Sequence, residues 1–366
     1  MQQAPKVSVA MIAFNQERFI EQAIRSALMQ KTSFEFEIVV GEDASTDRTR
    51  DAIVELAGIH PDRIRPVLHD TNVGMHRNLI DVLAHCRGTY VALLEGDDYW
   101  TDPEKLQRQA CLLDRSPDVA VCHHNATALY DDGRGPPFIW HARRPRRLTT
   151  VDSLLDGNAI VTCTAMFRNG LLGEWPAWFT ATRAADWPLH VLNARHGKIA
   201  YIDRVMAVYR IHAGGVWSSL PQRRTIEGMI ATADLMKQAL TARQWKRLSK
   251  TITRWHADLV ELMLAEGRID EAMGHGLRHL SRASRLRLAH FYQGLELERE
   301  GRRWPAFRHF FRAAVAASPK TRVKLSDVAL ALTRVAFPRL YRASRTIWRR
   351  GRAVPRSPAG SPDAAR

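Results

Sequence analysis

Residues 7–30, VSVAMIAFNQERFIEQAIRSALMQ, join a short apolar run to an amphipathic segment. The apolar run covers residues 7–13 and has the length of a buried strand. Asn15 then offers an N-cap for a helix, because apolar residues recur after it at three- and four-residue spacing. A buried strand followed at once by an amphipathic helix is how a βαβ unit begins, so the pattern predicts an α/β domain with a parallel sheet.

The alternation of strand and helix continues through the first hundred residues. Strands are predicted at residues 37–40, 64–68 and 90–94, and a helical pattern follows each of the first two. Ligands of open sheets bind beyond the carboxyl ends of the strands. Here those ends carry an aromatic residue and several acidic ones, which we expect to converge on one edge: Phe14, Glu42, Asp43, Glu95, Asp97 and Asp98.

The pattern between residues 100 and 220 is less regular. Residues 130–150 are rich in Gly, Pro and Arg, which indicates an irregular loop. Further strands are predicted at residues 160–167 and 199–210, with a helix near residues 187–195 between them. His123 and His124 are expected on the surface of a strand or loop.

Only helical patterns occur after residue 220. Two segments, residues 262–280 and 294–319, look like helical hairpins joined at Gly267 and Gly301. They are similar to tetratricopeptide units, and their spacing is that of a repeat of roughly 34 residues. The pattern predicts an all-α C-terminal part with tetratricopeptide-like hairpins.

Charge divides the chain in the same place. Residues 221–366 carry 30 Lys and Arg against 12 Asp and Glu, whereas residues 1–220 carry 24 against 26. A basic segment favours an anionic partner, such as a membrane surface or a nucleic acid, or serves solubility alone. We expect three parts: an α/β domain over 1–220, a helical domain over 221–335, and a basic amphipathic segment with a disordered tail over 336–366.

Cysteine usage and hydropathy predict the compartment. The four cysteines form no C-x-x-C pair, which is typical of reduced, buried thiols in a cytosolic protein. The chain contains no run of about 18 apolar residues and begins without a signal-peptide pattern. We expect a cytoplasmic protein, either soluble or peripheral on the cytoplasmic face of a membrane.

The acidic residues at the strand ends allow two interpretations each. Asp97 and Asp98 suit Mg²⁺ or Mn²⁺, because such hard cations need few protein carboxylates when phosphate oxygens complete the site. They equally suit a solvated turn that caps the next helix. Asp43 suits contact with a nucleobase N–H or a role in capping a helix. Phe14 suits stacking on a base or packing in the core.

Four segments in order resemble the family 2 glycosyltransferases, which have the GT-A fold. They are the segment at residues 7–30, EIVVGEDASTDRTRDAI, RIRPVLHDTNVGMHRNL and GTYVALLEGDDYWTDPEKLQRQ. A later segment, ADWPLHVLNARHGKIAYIDRVMAVYRIHAGGVWS, is similar to the acceptor side of that family. The resemblance covers residues 5–220. It implies a Rossmann-like mixed sheet of the nucleotide-diphospho-sugar transferases, followed here by the helical domain.

The resemblance also implies an activity and its participants. The enzyme would transfer a sugar with inversion from a nucleotide-sugar, most commonly a UDP-sugar, to a saccharide or lipid-linked acceptor in cell-surface polysaccharide, lipopolysaccharide or glycolipid synthesis. No nucleic acid is expected as a partner. Asp186 matches the general base, and Asp98 and His212 match ligands of Mg²⁺ or Mn²⁺. The donor site would include Phe14, Glu17, Asp43, Asn72, Gly74, Asp97 and Arg210.

This chain departs from the family pattern at two positions. Glu42 stands where many members have a second aspartate, and it keeps the charge. Ala185 precedes the matched base, where many members have glutamate. The departure at Ala185 weakens the assignment of Asp186, whose nearest acidic competitor is Asp203, a residue expected inside a strand.

Two other classes of protein compete with the transferase. A non-catalytic nucleotide-sugar-binding scaffold would use the helical domain for protein partners. A sugar-phosphate nucleotidyltransferase would need a Gly-rich loop after the first strand, where this chain has residues 14–18, FNQER. The absence of G-x-x-x-x-G-K-[ST], G-x-G-x-x-G after the first strand, H-E-x-x-H and G-x-S-x-G argues against P-loop NTPases, Rossmann dehydrogenases, zinc proteases and serine hydrolases.

Overall fold

A computed structural model describes residues 4–217, 219–266 and 268–279, together with single positions between 290 and 309. The chain forms two compact units, one up to Ile252 and one from Thr253 onward. The basic segment and tail predicted at residues 336–366 lie outside the described residues. The division into parts ending at residues 220 and 335 stays a prediction.

One mixed sheet of ten strands organises the first unit. The main path runs in the order β3-β2-β1-β4-β9-β6-β10-β5, with β7 paired to β6 and β8 paired to β10. The four strands at the β3 end are parallel to one another, and β9 joins β4 and β6 in antiparallel fashion. The strands are β1 Val7–Ala13, β2 Phe36–Glu42, β3 Ile64–Leu68, β4 Tyr90–Glu95, β5 Tyr99–Trp100, β6 Val119–Tyr130, β7 Phe138–Ile139, β8 Leu148–Thr149, β9 Met166–Arg168 and β10 Lys198–Ile211.

Helices link and cover these strands. Short 3-10 helices occur at Val151–Asp156, Thr162–Thr164, Phe179–Ala181 and Lys237–Ala239. The α-helices are α1 Ile20–Leu28, α2 Thr49–Ile59, α3 Met75–His85, α4 Lys105–Arg115, α5 Asp186–Ala194, α6 Gln222–Met236, α7 Ala242–Ala265 and α8 Ile269–His279. The first unit is thus the α/β fold that the sequence predicts, and helices follow it.

The continuous apolar runs become the central strands because both of their faces are buried. Every residue of β2 is buried, and so is all of β1 except the half-buried Ile12. Strands buried on both faces are typical of a parallel sheet covered by helices. The core also takes the apolar stripe of α1, whose buried residues include Ile20 and Ile24.

Two local predictions are wrong. Asn15 does not cap α1, which begins at Ile20; Asn15 has a left-handed backbone (φ 52°), and its side-chain oxygen accepts a hydrogen bond from Thr46 N at 2.9 Å. Residues 160–167 form a 3-10 turn and the short β9 instead of one strand. The segment at 130–150 is irregular, as predicted, except for the two-residue strands β7 and β8.

The prediction that His123 and His124 lie on the surface is also wrong, because β6 is buried along most of its length. Their side chains are 6% and 1% exposed. Burial, with the neighbouring imidazoles of His141 and His190, lowers the pKa of His123 to about 3. Because residues 123–125 are polar, the pattern of apolar runs does not predict this strand.

The second unit contains two helical segments whose backbone contacts recur at a 34-residue offset. Arg268 N donates to Met263 O at 2.8 Å, and Arg302 N donates to Leu297 O at 2.8 Å. Ala272 and Ala306, which occupy equivalent positions, are both fully buried. These contacts agree with the predicted repeat; its assignment as tetratricopeptide-like stays a prediction.

Among the helices that the structure describes, none combines the length and the low polarity that crossing a bilayer requires.

Candidate active site

The carboxyl end of β1 holds an acidic loop on each side. Ile12 O accepts a hydrogen bond from Gly96 N at 3.1 Å, and Ala13 O accepts one from Asp43 N at 3.1 Å. Gly96 is closely packed: a Cβ there would stand 2.3 Å from Gln16 Oε1 and 3.0 Å from Ile20 Cδ1, so a side chain would require Gln16 to move. The parallel register therefore brings the loops after β2 and β4 to the same edge of the sheet.

Three carboxylates after β4 form an acidic centre, composed of Glu95, Asp97 and Asp98. Each offers one oxygen, and these oxygens lie within 4.8 Å of one another. Burial and the nearby charges of Asp97, Asp98 and Asp186 raise the pKa of Glu95 well above its usual value. Burial and Asp97 do the same to the pKa of Asp98. The chain thus concentrates negative charge where little water screens it.

Asp98 has one satisfied oxygen and one buried oxygen without a well-formed hydrogen bond. Oδ1 accepts a hydrogen bond from Arg210 N at 2.8 Å. Oδ2 is buried and has no hydrogen-bond partner of ordinary geometry among the described residues, although the thiol of Cys163 lies near the Asp98 carboxyl group. Because the Asp98 side chain is fully buried, the alternative of a solvated helix-capping turn is wrong for this residue.

Arg210, on β10, and His212, just after the end of that strand, lie against the acidic centre. The Arg210 guanidinium donates to Asp97 O and to Gln22 Oε1, and it lies over the rings of Phe19 and Tyr99. It is 7% exposed, so it is no ordinary surface charge.

The imidazole of His212, the residue after β10, makes the second contact. Its Nε2 lies 3.0 Å from Asp97 Oδ2. The ring also packs against Phe19, with centroids 4.8 Å apart. Packing against aromatic rings therefore holds the guanidinium of Arg210 and the imidazole of His212 beside the carboxylates.

Asp186 faces the acidic centre from the first turn of α5. Its Oδ2 accepts hydrogen bonds from Asn158 Nδ2 at 2.6 Å and from Thr162 Oγ1 at 3.3 Å. Burial raises the pKa of Tyr209, and the charges of Asp98, Glu95, Asp97 and Asp186 raise it further. Tyr209 therefore lies near all four carboxylates, so Asp186 lies on the same crevice as the acidic centre.

Asp43 organises the loop that precedes α3. Its carboxylate is 2% exposed and accepts hydrogen bonds from Val73 N at 2.7 Å and Gly74 N at 3.0 Å. The side chain of Asn72 donates to Asp43 O at 3.2 Å. Gly74 has φ +84°, a conformation that favours glycine. The carboxylate retains further lone pairs, so it can still accept a hydrogen bond from a ligand.

Phe14 and Glu17 lie on the loop after β1. The Phe14 side chain is 44% exposed, so it does not pack in the core. Glu17 Oε2 accepts a hydrogen bond from Arg48 N at 3.0 Å and ties this loop to the start of α2. Asp47 Oδ1 accepts a hydrogen bond from Thr49 N at 2.9 Å, at the start of α2.

The sequence predicts no site role for three contributors to the crevice. Glu95, the last residue of β4, is predicted only at the sheet edge where acidic residues converge, yet its carboxylate belongs to the acidic centre. Asn158 and Thr162 orient Asp186 from 28 and 24 residues away. A Glu-x-Asp-Asp string at a strand end is the signal that would have identified Glu95.

The role of Asp43 leads to a testable expectation. We expect Asp43→Ala to raise the donor KM about tenfold, a loss of about 1.4 kcal/mol, and to lower kcat less, because the proposed acceptor for the nucleobase is lost together with the hydrogen bonds that hold Val73 and Gly74. The measurement is steady-state kinetics at varied nucleotide-sugar.

Asp114→Ala is the matched control for Asp43→Ala. Asp114 also accepts two hydrogen bonds, from Lys6 Nζ and Tyr90 Oη, at the opposite edge of the sheet. It should lower stability without moving the donor KM. Equal KM values for Asp43→Ala and the unmodified chain would contradict the assignment.

The acidic centre fits a divalent cation. Carboxylate oxygens are the ligands that Mg²⁺ and Mn²⁺ prefer. The unpartnered, buried Oδ2 of Asp98 and the mutual repulsion of the three carboxylates are features that a bound cation would relieve. Asp98, with Asp97 or His212 beside it, would hold such an ion.

The α/β sheet with this acidic edge is the arrangement that the resemblance to family 2 glycosyltransferases implies. The family model for glycosyl transferase family 2 matches residues 8–174. An uncharacterized protein of Mycobacterium tuberculosis is 42% identical over 241 residues, which cover 63% of this chain and 67% of the relative. A Bacillus subtilis protein with the provisional name teichuronic acid biosynthesis glycosyltransferase TuaG is 31% identical over 212 residues, covering 57% and 79%.

Solved structures share the fold. The mannosyltransferase PcManGT of Pyrobaculum calidifontis, in complex with GDP-Man and Mn²⁺, superposes with a TM-score of 0.54 at 18% identity, covering 95% of this chain and 88% of that one. TarS 1–349 of S. aureus, in complex with UDP-GlcNAc, gives 0.52 at 18% identity, covering 94% and 92%. The chain belongs to glycosyltransferase family 2 and is a glycosyltransferase with a GT-A fold.

Proposed function

We propose that this enzyme transfers a sugar, with inversion, from a nucleoside diphosphate sugar to a hydroxyl acceptor, with Asp186 as the general base and the acidic centre as the diphosphate site. The observation that carries the proposal is the crevice in which Asp186 faces Glu95, Asp97 and Asp98. An oriented carboxylate opposite a cation site is what a single in-line displacement needs.

The donor would lie along the carboxyl ends of β1, β2 and β4. Phe14 would stack on the nucleobase, and Asp43 would accept a hydrogen bond from it. Asp97 would contact the ribose, while Arg210 would oppose the charge of the phosphates. A bound Mg²⁺ or Mn²⁺ would neutralise the charge that the departing diphosphate gains. Glu17, Asn72 and Gly74 would shape the pocket through the loops that they hold.

Asp186 would then act on the acceptor. Its carboxylate takes the hydroxyl proton as the acceptor oxygen forms a bond to the anomeric carbon. The bond from that carbon to the phosphate oxygen breaks, and its electron pair leaves with the nucleoside diphosphate. Asn158 and Thr162 hold the carboxylate by one of its oxygens, which leaves the other available for the proton. One displacement of this kind inverts the anomeric centre.

The proposed donor is a UDP-sugar, with guanosine and deoxythymidine donors as the alternatives. The test is release of nucleoside diphosphate from a panel of these donors with and without Mn²⁺. Turnover that requires the metal supports the enzyme, and binding without turnover supports the nucleotide-sugar-binding scaffold instead. Thermal shift of the same panel identifies the nucleotide.

The proposed acceptor is a saccharide or lipid-linked acceptor of cell-surface polysaccharide, lipopolysaccharide or glycolipid synthesis. The name of TuaG supports such a pathway. We place the enzyme in the cytoplasm, where the basic C-terminal region would bind an anionic membrane that presents the acceptor.

Vesicle flotation tests the membrane part of the proposal. Each basic residue near an anionic surface contributes on the order of 1 kcal/mol, so the full chain should float with anionic vesicles and lose this on truncation after Val335. Neutral vesicles are the control. Equal partitioning of the two chains would contradict membrane binding by residues 336–366.

A further inference from the structure

Three histidines of the second unit lie together, away from the acidic centre in sequence. His256 is on α7, and His275 and His279 are on α8. His256 Nδ1 lies 2.9 Å from His275 Nε2, and the rings of His256 and His279 stack with centroids 4.0 Å apart. One ring nitrogen from each residue lies within 4.8 Å of the others. We call these residues the histidine cluster.

Helix geometry explains why the cluster forms. His275 and His279 are four residues apart, so they lie on the same face of α8, one turn from each other. That face meets α7 at His256. The three side chains come from two helices, and each offers only a ring nitrogen as a ligand atom.

The chemistry of the cluster differs from that of the acidic centre. Neutral imidazole is a ligand for zinc-like divalent ions, whereas Mg²⁺ and Mn²⁺ prefer oxygen. His279 is exposed, which gives an ion a route from solvent.

The neighbouring hairpin provides an internal comparison. His290 and His309 stand 34 residues after His256 and His275, and their Nδ1 atoms lie 3.3 Å apart. A pair of contacting histidines 19 residues apart therefore occurs in both copies of the 34-residue pattern. The position equivalent to His279 is Ala313, so the third nitrogen belongs to the first hairpin alone.

We propose that His256, His275 and His279 bind one zinc-class divalent ion, with a further coordination position open to water or another ligand. Three nitrogen ligands from two helices, at mutual distances that one ion can bridge, support this site. The bound ion would join α7 to α8. The site does not depend on the proposed catalytic mechanism.

Zinc binding to the full, tag-free chain tests the proposal. The chain, stripped by chelator, is titrated with Zn²⁺ in excess Mg²⁺, which competes for the acidic centre. We expect one Zn²⁺ per chain and a rise in Tm, because an ion that binds only the folded state stabilises it. His279→Ala should weaken binding at least tenfold, because even outer contacts of metal ligands change affinity by about 10–100-fold.

Two further variants make the result decisive. His290→Ala is the matched control and should leave Zn²⁺ affinity and stoichiometry unchanged. His275→Ala should weaken binding as His279→Ala does, with circular dichroism checking that both variants remain helical. Equal Zn²⁺ binding by the unmodified chain and His279→Ala, or no uptake in excess Mg²⁺, would overturn the proposal.

Discussion

Asp98→Asn should reduce metal-dependent turnover about a thousandfold, which corresponds to a loss of about 4 kcal/mol of transition-state stabilisation. Asparagine keeps an oxygen that can accept the hydrogen bond from Arg210 N, but it removes the charge that we propose for metal binding. The measurement is nucleoside diphosphate release at varied Mn²⁺ concentration.

The fold should survive this change. Burial and the charge of Asp97 disfavour ionised Asp98 in the absence of metal, so the metal-free Tm of Asp98→Asn should equal or exceed that of the unmodified chain. The rise in Tm caused by Mn²⁺ together with donor should disappear. Asp51→Asn, an exposed change on α2, is the control and should retain both properties. Unchanged Mn²⁺ dependence in Asp98→Asn would remove Asp98 from the metal site.

Asp186→Asn should lower turnover by about 10²–10⁴-fold, the usual contribution of a positioned general base. The side chain keeps its shape and can still accept a hydrogen bond from Asn158, so donor binding should remain within about twofold, as expected when only a transition-state interaction is lost. Steady-state kinetics and donor binding by calorimetry separate the two effects.

Asp203→Asn is the matched control for the general base. Asp203 is the nearest acidic competitor in the sequence. It lies on β10 and forms an exposed ion pair with Arg144. Its replacement should leave turnover close to that of the unmodified chain, because exposed ion pairs contribute little. Turnover of Asp186→Asn within tenfold of the unmodified chain would refute its role as base.

The sheet edge could be predicted because its cause is local. The bounds predicted for β1 and β3 are those observed, since a continuous apolar run of strand length leaves few alternatives. Parallel strands then present their carboxyl ends together. The acidic loops around Asp43 and Asp98 follow from these facts alone.

The remainder of the site depends on contacts that no local pattern records. Asn158 lies in an irregular segment and Thr162 begins a short 3-10 helix, and both meet Asp186 only after folding. Likewise, Asp43 accepts hydrogen bonds from Val73 and Gly74, 30 and 31 residues later, instead of capping the nearby α2. Strand, helix and cap signals extend over a few residues, so they cannot reveal such partners.

A crystal structure with nucleoside diphosphate and Mn²⁺, measured at the manganese absorption edge, tests the central claim most directly. We expect an anomalous peak in contact with the Asp98 carboxylate and a phosphate oxygen, with the nucleobase beside Asp43 and Phe14. Asp186 should remain free of the metal and face the sugar side of the phosphates. A manganese peak away from the acidic centre, or a nucleotide bound elsewhere on the sheet, would contradict the proposed mechanism.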